Sequence, residues 1–170
     1  MSKFRLVTTL LTSAWLLLGA RAIRAETPND TSVGNGPEST LVLYAQAVES
    51  QDLPALEALH TEDFVYQTKS GSAEPQSHSR IEELAGWRKL FSSGATMRIR
   101  FQRAEEYAST QVADGVWRIS GLQMSSSVSY IGPNGQPTES TVSAPSVTFW
   151  VRMISADPKS FAIYRIESVL

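Results

Sequence analysis

The chain has 170 residues, a net charge of −2, 42% hydrophobic residues and no cysteine. That length supports one core-bearing domain, and 19% charged residues beside an ordinary apolar fraction exclude wholesale disorder. The charge balance argues against a basic nucleic-acid binder. The missing cysteines exclude a disulfide scaffold, a thiolate zinc site, a cysteine nucleophile and a lipidated-cysteine anchor.

Residues 1–25 read as a secretory signal. Lys3 and Arg5 precede the apolar run from Leu6 to Ala20, and Ala20-Arg21-Ala22 offers a small-x-small cleavage pattern, with a second cut available after Ala25. The run falls short of the roughly twenty residues a spanning helix needs, so no membrane segment is expected after cleavage. Removal after Ala25 discards Lys3, Arg5, Arg21 and Arg24, four of fifteen basic residues and none of the seventeen acidic ones, leaving −6. Cleavage after Ala22 leaves −5. Either mature form is acidic and repels phosphate backbones and anionic lipid. Residues 26–38 read as a polar Gly/Pro/Asn/Ser spacer that carries the glycosylation pattern Asn29-Asp30-Thr31. Gly34-x-Gly36 within it is not a phosphate loop, since no strand precedes it.

Ser39 is the expected N-cap of a first helix, on which Leu41, Tyr44, Ala45 and Val48 recur at helical spacing through Ser50. Asp52 and Pro54 start a second, with Leu53, Leu56 and Leu59 on one stripe before His60. A short strand is expected over Asp63 to Thr68, then a loop from Lys69 to Ser77. Ser79 with Glu82 forms a capping box for a third helix, whose apolar stripe reads Ile81, Leu84, Trp87, Leu90 and Phe91, with Gly94 as its stop.

Strand signal dominates the remainder. Met97, Ile99 and Phe101 alternate with Arg98, Arg100 and Gln102, and Ala113-Asp114-Gly115 is a turn. A strand from Val116 to Tyr130 reaches the hairpin signal Pro133-Asn134-Gly135. Ser140 to Ile154 returns with Val147, Phe149, Val151 and Met153 on one face and Thr148, Trp150 and Arg152 on the other, and Pro145 predicts a bulge or an edge. After an Asp157-Pro158 turn, Phe161 to Val169 makes the last strand. Three helices interrupted by one short strand and followed by a four-stranded meander predict an α+β domain. In it the N-terminal helices pack on a strongly curved, mostly antiparallel sheet that closes into a cone-shaped barrel.

The segment Leu43 to Tyr66 carries a resemblance: Tyr44 on the first helix, the Gln51-Asp52-Leu53-Pro54 break, a second helix to His60, the acidic pair Glu62-Asp63 and the aromatic strand Phe64-Val65-Tyr66. With the capped third helix and closing strands in the same order, residues 39–170 resemble the nuclear transport factor 2-like superfamily. Its members include ketosteroid isomerase, scytalone dehydratase and the SnoaL-like cyclases. The resemblance implies the fold and leaves the function open, since isomerases, dehydratases, hydrolases and non-catalytic assembly domains share it. Against ketosteroid isomerase, Tyr44 falls at the oxyanion-hole tyrosine. The base position holds Thr68 and the second oxyanion donor position holds Phe149, so isomerase chemistry of that type is not expected.

The remaining candidates come from residue type. His60, Glu62 and Asp63 cluster where the second helix ends, as a proton-transfer group or as a solvated helix end. Arg98 and Arg100 share a strand face with Gln102. They would hold a carboxylate or carbonyl ligand if that face turned inward, and the apolar Met97-Ile99-Phe101 face makes an outward course the preferred one. A limonene epoxide hydrolase-like Arg-x-Asp pair is not formed, since Arg100 stands at its third position. Two histidines far apart predict no metal, and no cofactor is expected. Two functions therefore remain open. One is an exported domain that binds a small apolar or polyketide-like ligand in the cone, or that forms a homodimer through its sheet, with Trp87, Arg98, Arg100, Tyr130 and Trp150 as ligand contacts. The other is a small lyase, isomerase or cyclase using Tyr44, His60, Asp63 and Tyr66 for proton transfer.

Overall fold

The computed structural model describes residues 36–156 and 159–170. The signal and its cleavage sites, the spacer up to residue 35, the Asn29-Asp30-Thr31 pattern and the Asp157-Pro158 turn lie outside the described residues.

Helix α1 (Ser39–Glu49) buries Leu41, Tyr44 and Val48 of the expected stripe, with Ala47 buried where Ala45 was expected, while Ala45 is half-buried. Its N-cap is Glu38 rather than Ser39, because a tight turn at Gly36 starts the helix one residue early and the Ser39 hydroxyl donates to the Gly36 carbonyl at 2.6 Å. Gln51 takes a left-handed φ of 58° at the break. Asp52 then caps α2 (Leu53–Leu59), its side chain accepting from the Ala55 N–H at 2.9 Å. Strand β1 (His60–Lys69) follows with no intervening loop, so His60 opens a strand instead of ending a helix in solvent. It is 4% exposed.

The stretch expected as a loop contains β2 (Gln76–Ser79), a polar strand too short to show alternation and held in place by antiparallel pairing of Val65 to Thr68 with it. The capping box of Ser79 and Glu82 forms as expected at the start of α3 (Arg80–Ser92). Leu84 is its buried residue, and Trp87 and Phe91 pack against the core. Ile81, expected on that stripe, is 78% exposed, since the helix turns its 83–84–87–91 side inward.

Strands β3 (Thr96–Ala113), β4 (Val116–Ile131), β5 (Pro137–Ala156) and β6 (Lys159–Val169) complete one six-stranded sheet in the order β2-β1-β6-β5-β4-β3. All neighbours are antiparallel except β1 and β6, which run parallel. The four-stranded meander is therefore part of a larger mixed sheet.

Two bulges bend it. Leu122 pairs with Val147 and Met124 with Ala144, so Pro145 and Ser146 on β5 oppose one residue of β4. Between Ser120 and Leu122, Gly121 at φ +67° faces the extra β3 residues 104–107. Ile119 and Leu122 are three apart and would face opposite sides of a regular strand, yet both are buried. The bulge restores their common direction and curves the sheet around the helices. The core runs from Leu41, Val48 and Leu56 through Phe64, Ile119, Val147 and Phe149 to Ile163 and Ile166.

Candidate functional site

Inside the curve, side chains from α1, β1, α3, β5 and β6 converge. Tyr44 lies at the centre: its ring is 5.9 Å from His60, 6.4 Å edge-on from Trp87 and 6.0 Å edge-on from Phe149. His60 stacks on Phe64 at 3.9 Å. Tyr66 brings its hydroxyl within 3.0 Å of the Ser168 hydroxyl on β6. Glu83, one helical turn before Trp87, presents its carboxyl to the same interior, close enough that its charge acts on both phenols.

Scarcity of water sets the titration of these groups. Burial raises the Glu83 carboxyl to about 7, against a smaller opposing pull from the Trp87 indole. Burial likewise pushes the Tyr44 phenol well above its ordinary value, helped by the Glu83 charge and then by Tyr66. Tyr66 is raised by burial, partly offset by Ser168. His60 is lowered to about 4 by burial and by the nearby Arg80 guanidinium, so it is neutral at pH 7. Neither of its ring nitrogens has a hydrogen-bond partner. The indole N–H of Trp87 approaches Tyr44 and Glu83. It is nonetheless buried and completes no well-formed hydrogen bond with either. The interior therefore combines an acid titrating near neutrality, two phenols, a neutral imidazole and unsatisfied polar atoms.

Tyr44, His60, Tyr66 and Trp87 thus meet in one place. The other candidates do not join them. Asp63 lies on the outer side, held at 3.1 Å and 3.4 Å by both terminal nitrogens of Arg152. Trp150 is on the same outer side, beneath the Arg118 guanidinium at 5.9 Å and beside Tyr164. Tyr130 is exposed near the far end of β4. Arg98 and Arg100 do not turn inward. They line an outer groove of about 220 Å³ with Ser125, Ser127, Glu139 and Thr141, and Arg100 reaches Glu49 at 2.6 Å.

Glu83 is the interior residue that sequence reasoning passed over, because its place in the first turn of a helix explains an acidic residue without further function. The available signal was its spacing of four from Trp87 on the side that also carries Leu84 and Phe91. Among the described residues no cluster of His, Asp or Glu has metal-holding geometry, and no helix is long and apolar enough to cross a membrane.

No protein-family model and no curated protein matches the chain. Solved structures do. A conserved protein from Planctomyces limnophilus has a TM-score of 0.59 at 14% identity, over 78% of this chain and 91% of that one. A nuclear transport factor 2-like protein of unknown function in nutrient uptake from Rhodospirillum rubrum gives 0.56 at 12% identity, over 79% and 98%. A ketosteroid isomerase-like protein from Erwinia carotovora atroseptica gives 0.51 at 14% identity, over 78% and 92%. Identities this low speak to the fold alone: residues 39–170 adopt the cone-shaped α+β fold of nuclear transport factor 2-like proteins, as the resemblance implied.

Proposed function

We propose that the chain is an exported domain that holds a small, mostly apolar molecule inside the cone. The observation that carries this reading is the set of buried polar atoms without partners, Trp87 Nε1 and both nitrogens of His60, in an otherwise aromatic interior. Buried polar groups left unpaired cost about 1–3 kcal/mol each, and a ligand bearing one or two polar groups would satisfy them. Export rests on the N-terminal signal pattern. The test is mass spectrometry of small molecules extracted from the purified mature domain. A stoichiometric compound that is lost when Trp87 is changed to Phe supports the reading, and an empty domain that binds no member of an apolar library overturns it.

A second reading, proton-transfer catalysis by a small lyase, isomerase or cyclase, is favoured by one observation: an acid titrating near 7 shares the interior with two phenols and a neutral imidazole. Its participants are Tyr44, His60 and Tyr66 with Glu83, and Asp63 drops out because it is salt-bridged on the opposite side of the sheet. Turnover that survives both Glu83→Gln and Tyr44→Phe would exclude it. A homodimer through the sheet is supported by the aromatic and arginine side chains on the outer face. Light scattering of the wild type and of Trp150→Ala tests it, with a dimer expected to dissociate in the variant.

A further inference from the structure

The groove on the outer face is hollow because of what stands on β4. Ser125 and Ser127 face it from a central strand, a place where β-branched or aromatic side chains would pack best. Strand register sets Ser127 between Arg98 on β3 and Thr141 on β5, and sets Ser125 beside Arg100. Two long guanidinium side chains therefore wall one edge, Thr141 and Glu139 wall the other, and short hydroxyl side chains between them leave a space of about 220 Å³.

Arg100 is held in place without being used up. Its Nη1 donates to the Glu49 carboxylate at 2.6 Å and to the Ile99 carbonyl at 3.3 Å. Both bonds leave from one nitrogen, so the Nε–Nη2 edge has no protein acceptor among the described residues. That edge is the one that grips a carboxylate through two parallel hydrogen bonds. Arg98, on the same face of β3, makes no ion pair among the described residues.

We propose that this groove takes a small hydroxylated monocarboxylate of the sugar-acid class. Its carboxylate sits on the free edge of Arg100 and beside Arg98, and its hydroxyls run along Ser125, Ser127 and Thr141 to Glu139. The Glu139 carboxylate accepts from a ligand hydroxyl and repels a second negative charge. The acidity of the mature chain acts in the same direction, so a phosphate or a polyanion is disfavoured. The space is smaller than the roughly 300 Å³ at which pockets for drug-sized ligands begin, which suits a single sugar unit. The groove lies roughly 30 Å along β4 from Arg118 and the Trp150 cluster, and it shares no residue with the interior of the cone.

The experiment titrates three probes into the full mature chain and follows its amide NMR signals: glucuronate, glucose as the neutral counterpart, and inorganic phosphate. Glucuronate is expected to bind with a Kd on the order of 1 mM, as fits a groove open to water, and at least tenfold more tightly than either other probe. Arg100→Lys keeps the charge and loses the fork, so it is expected to weaken glucuronate about tenfold. Ser127→Val fills the floor and is expected to abolish binding while the thermal midpoint holds or rises. Arg88→Gln on α3 removes one positive charge away from the groove and should leave the affinity unchanged.

Equal affinity for glucuronate and glucose would overturn the carboxylate contact, and tighter binding of phosphate would overturn the ligand class. Undiminished binding in Arg100→Lys, or an equal loss in Arg88→Gln, would reduce the effect to general charge attraction and overturn the site. So would binding of none of the probes. Each of these results leaves the reading of the interior as it stands.

Discussion

Phe149 and Trp150 are neighbours on β5 and mark the two sides of one sheet. Phe149 is 1% exposed and meets Tyr44 and Phe101 edge-on at 6.0 Å and 5.3 Å. Trp150 faces outward, where Arg118, Arg152 and Tyr164 interleave around it and Asp63 pairs with Arg152. Both sides are built from aromatics and charged groups. On the inner side loss of water carries a carboxyl up to about 7 and an imidazole down to about 4. On the outer side the ion pairs stand in solvent and are screened. What distinguishes a site from a surface here is the exclusion of water.

The sheet must bend for that inside to exist, and the bend is the place to break the comparison most severely. A Cβ on Gly121 would stand 2.5 Å from the backbone N and Cα of Tyr107, at a φ of +67° that side chains rarely adopt. Gly121→Val is expected to cost about 5 kcal/mol or to prevent folding, because the opposing atoms are backbone and cannot rotate away. Thermal denaturation of the mature domain measures it. A loss below about 1 kcal/mol would mean that β3 and β4 can pair without this bulge.

Truncating the two neighbours on β5 sharpens the comparison. Phe149→Ala is expected to cost about 3–4 kcal/mol through the cavity it leaves among Tyr44, Phe101 and Val147. Trp150→Ala is expected to cost about 1 kcal/mol in the monomer, since the outer face covers it only in part. Chemical denaturation of both variants would show the two losses to be unequal by a factor of about three.

Acid separates the two sides by a different route. Glu83 holds its proton in the fold up to about pH 7, whereas in the unfolded chain it loses the proton near 4.5, so its contribution to stability falls as pH rises across that window. His60 is neutral in the fold down to about pH 4 but protonates near 6.5 when unfolded, so its contribution falls as pH drops from 6.5 toward 4. Between about 4.5 and 6.5 the two oppose each other, and the wild-type profile from this pair is nearly flat. Glu83→Gln removes one side of the balance. Its stability is expected to climb with pH from 4.5 to 6.5, by an amount on the order of 2 kcal/mol. Changing Arg152 on the outer face should leave the shape of the profile alone.

The sequence carried the fold further than the site. The capping box at Ser79, the Asp52 cap and the Pro145 bulge are local signatures, and each stands where local rules put it. Strand β2 was hidden because a short polar strand exists only through its partner, β1. His60 was hidden for a related reason: the end of a helix is normally wet, and it is buried here because it opens β1 beside β6, with its ring against Phe64 and Tyr44. The site needed the same long-range information. Tyr44, Tyr66 and Trp87 could be proposed from residue type, but Glu83 shows its character only when α1, β1 and α3 close around it. Asp63 and His60 are three residues apart in sequence and lie on opposite sides of the sheet, as the alternation of a strand places them once β1 is known to begin at His60.

The outer ion pair gives the smallest expected effect and the sharpest control. Arg152 binds Asp63 through two nitrogens and lies over the Tyr164 ring at 4.8 Å, a geometry that would make a strong interaction in a dry interior. Both side chains are exposed, so a double-mutant cycle with Asp63→Asn and Arg152→Gln is expected to return a coupling of about 0.5 kcal/mol that fades as salt is raised to 1 M. A coupling above about 2 kcal/mol that persists in salt would mean that the pair is desolvated in solution. Since nothing in the monomer covers it, the covering surface would have to be another molecule, and the outer face would then belong with the inner one as a place from which water is excluded.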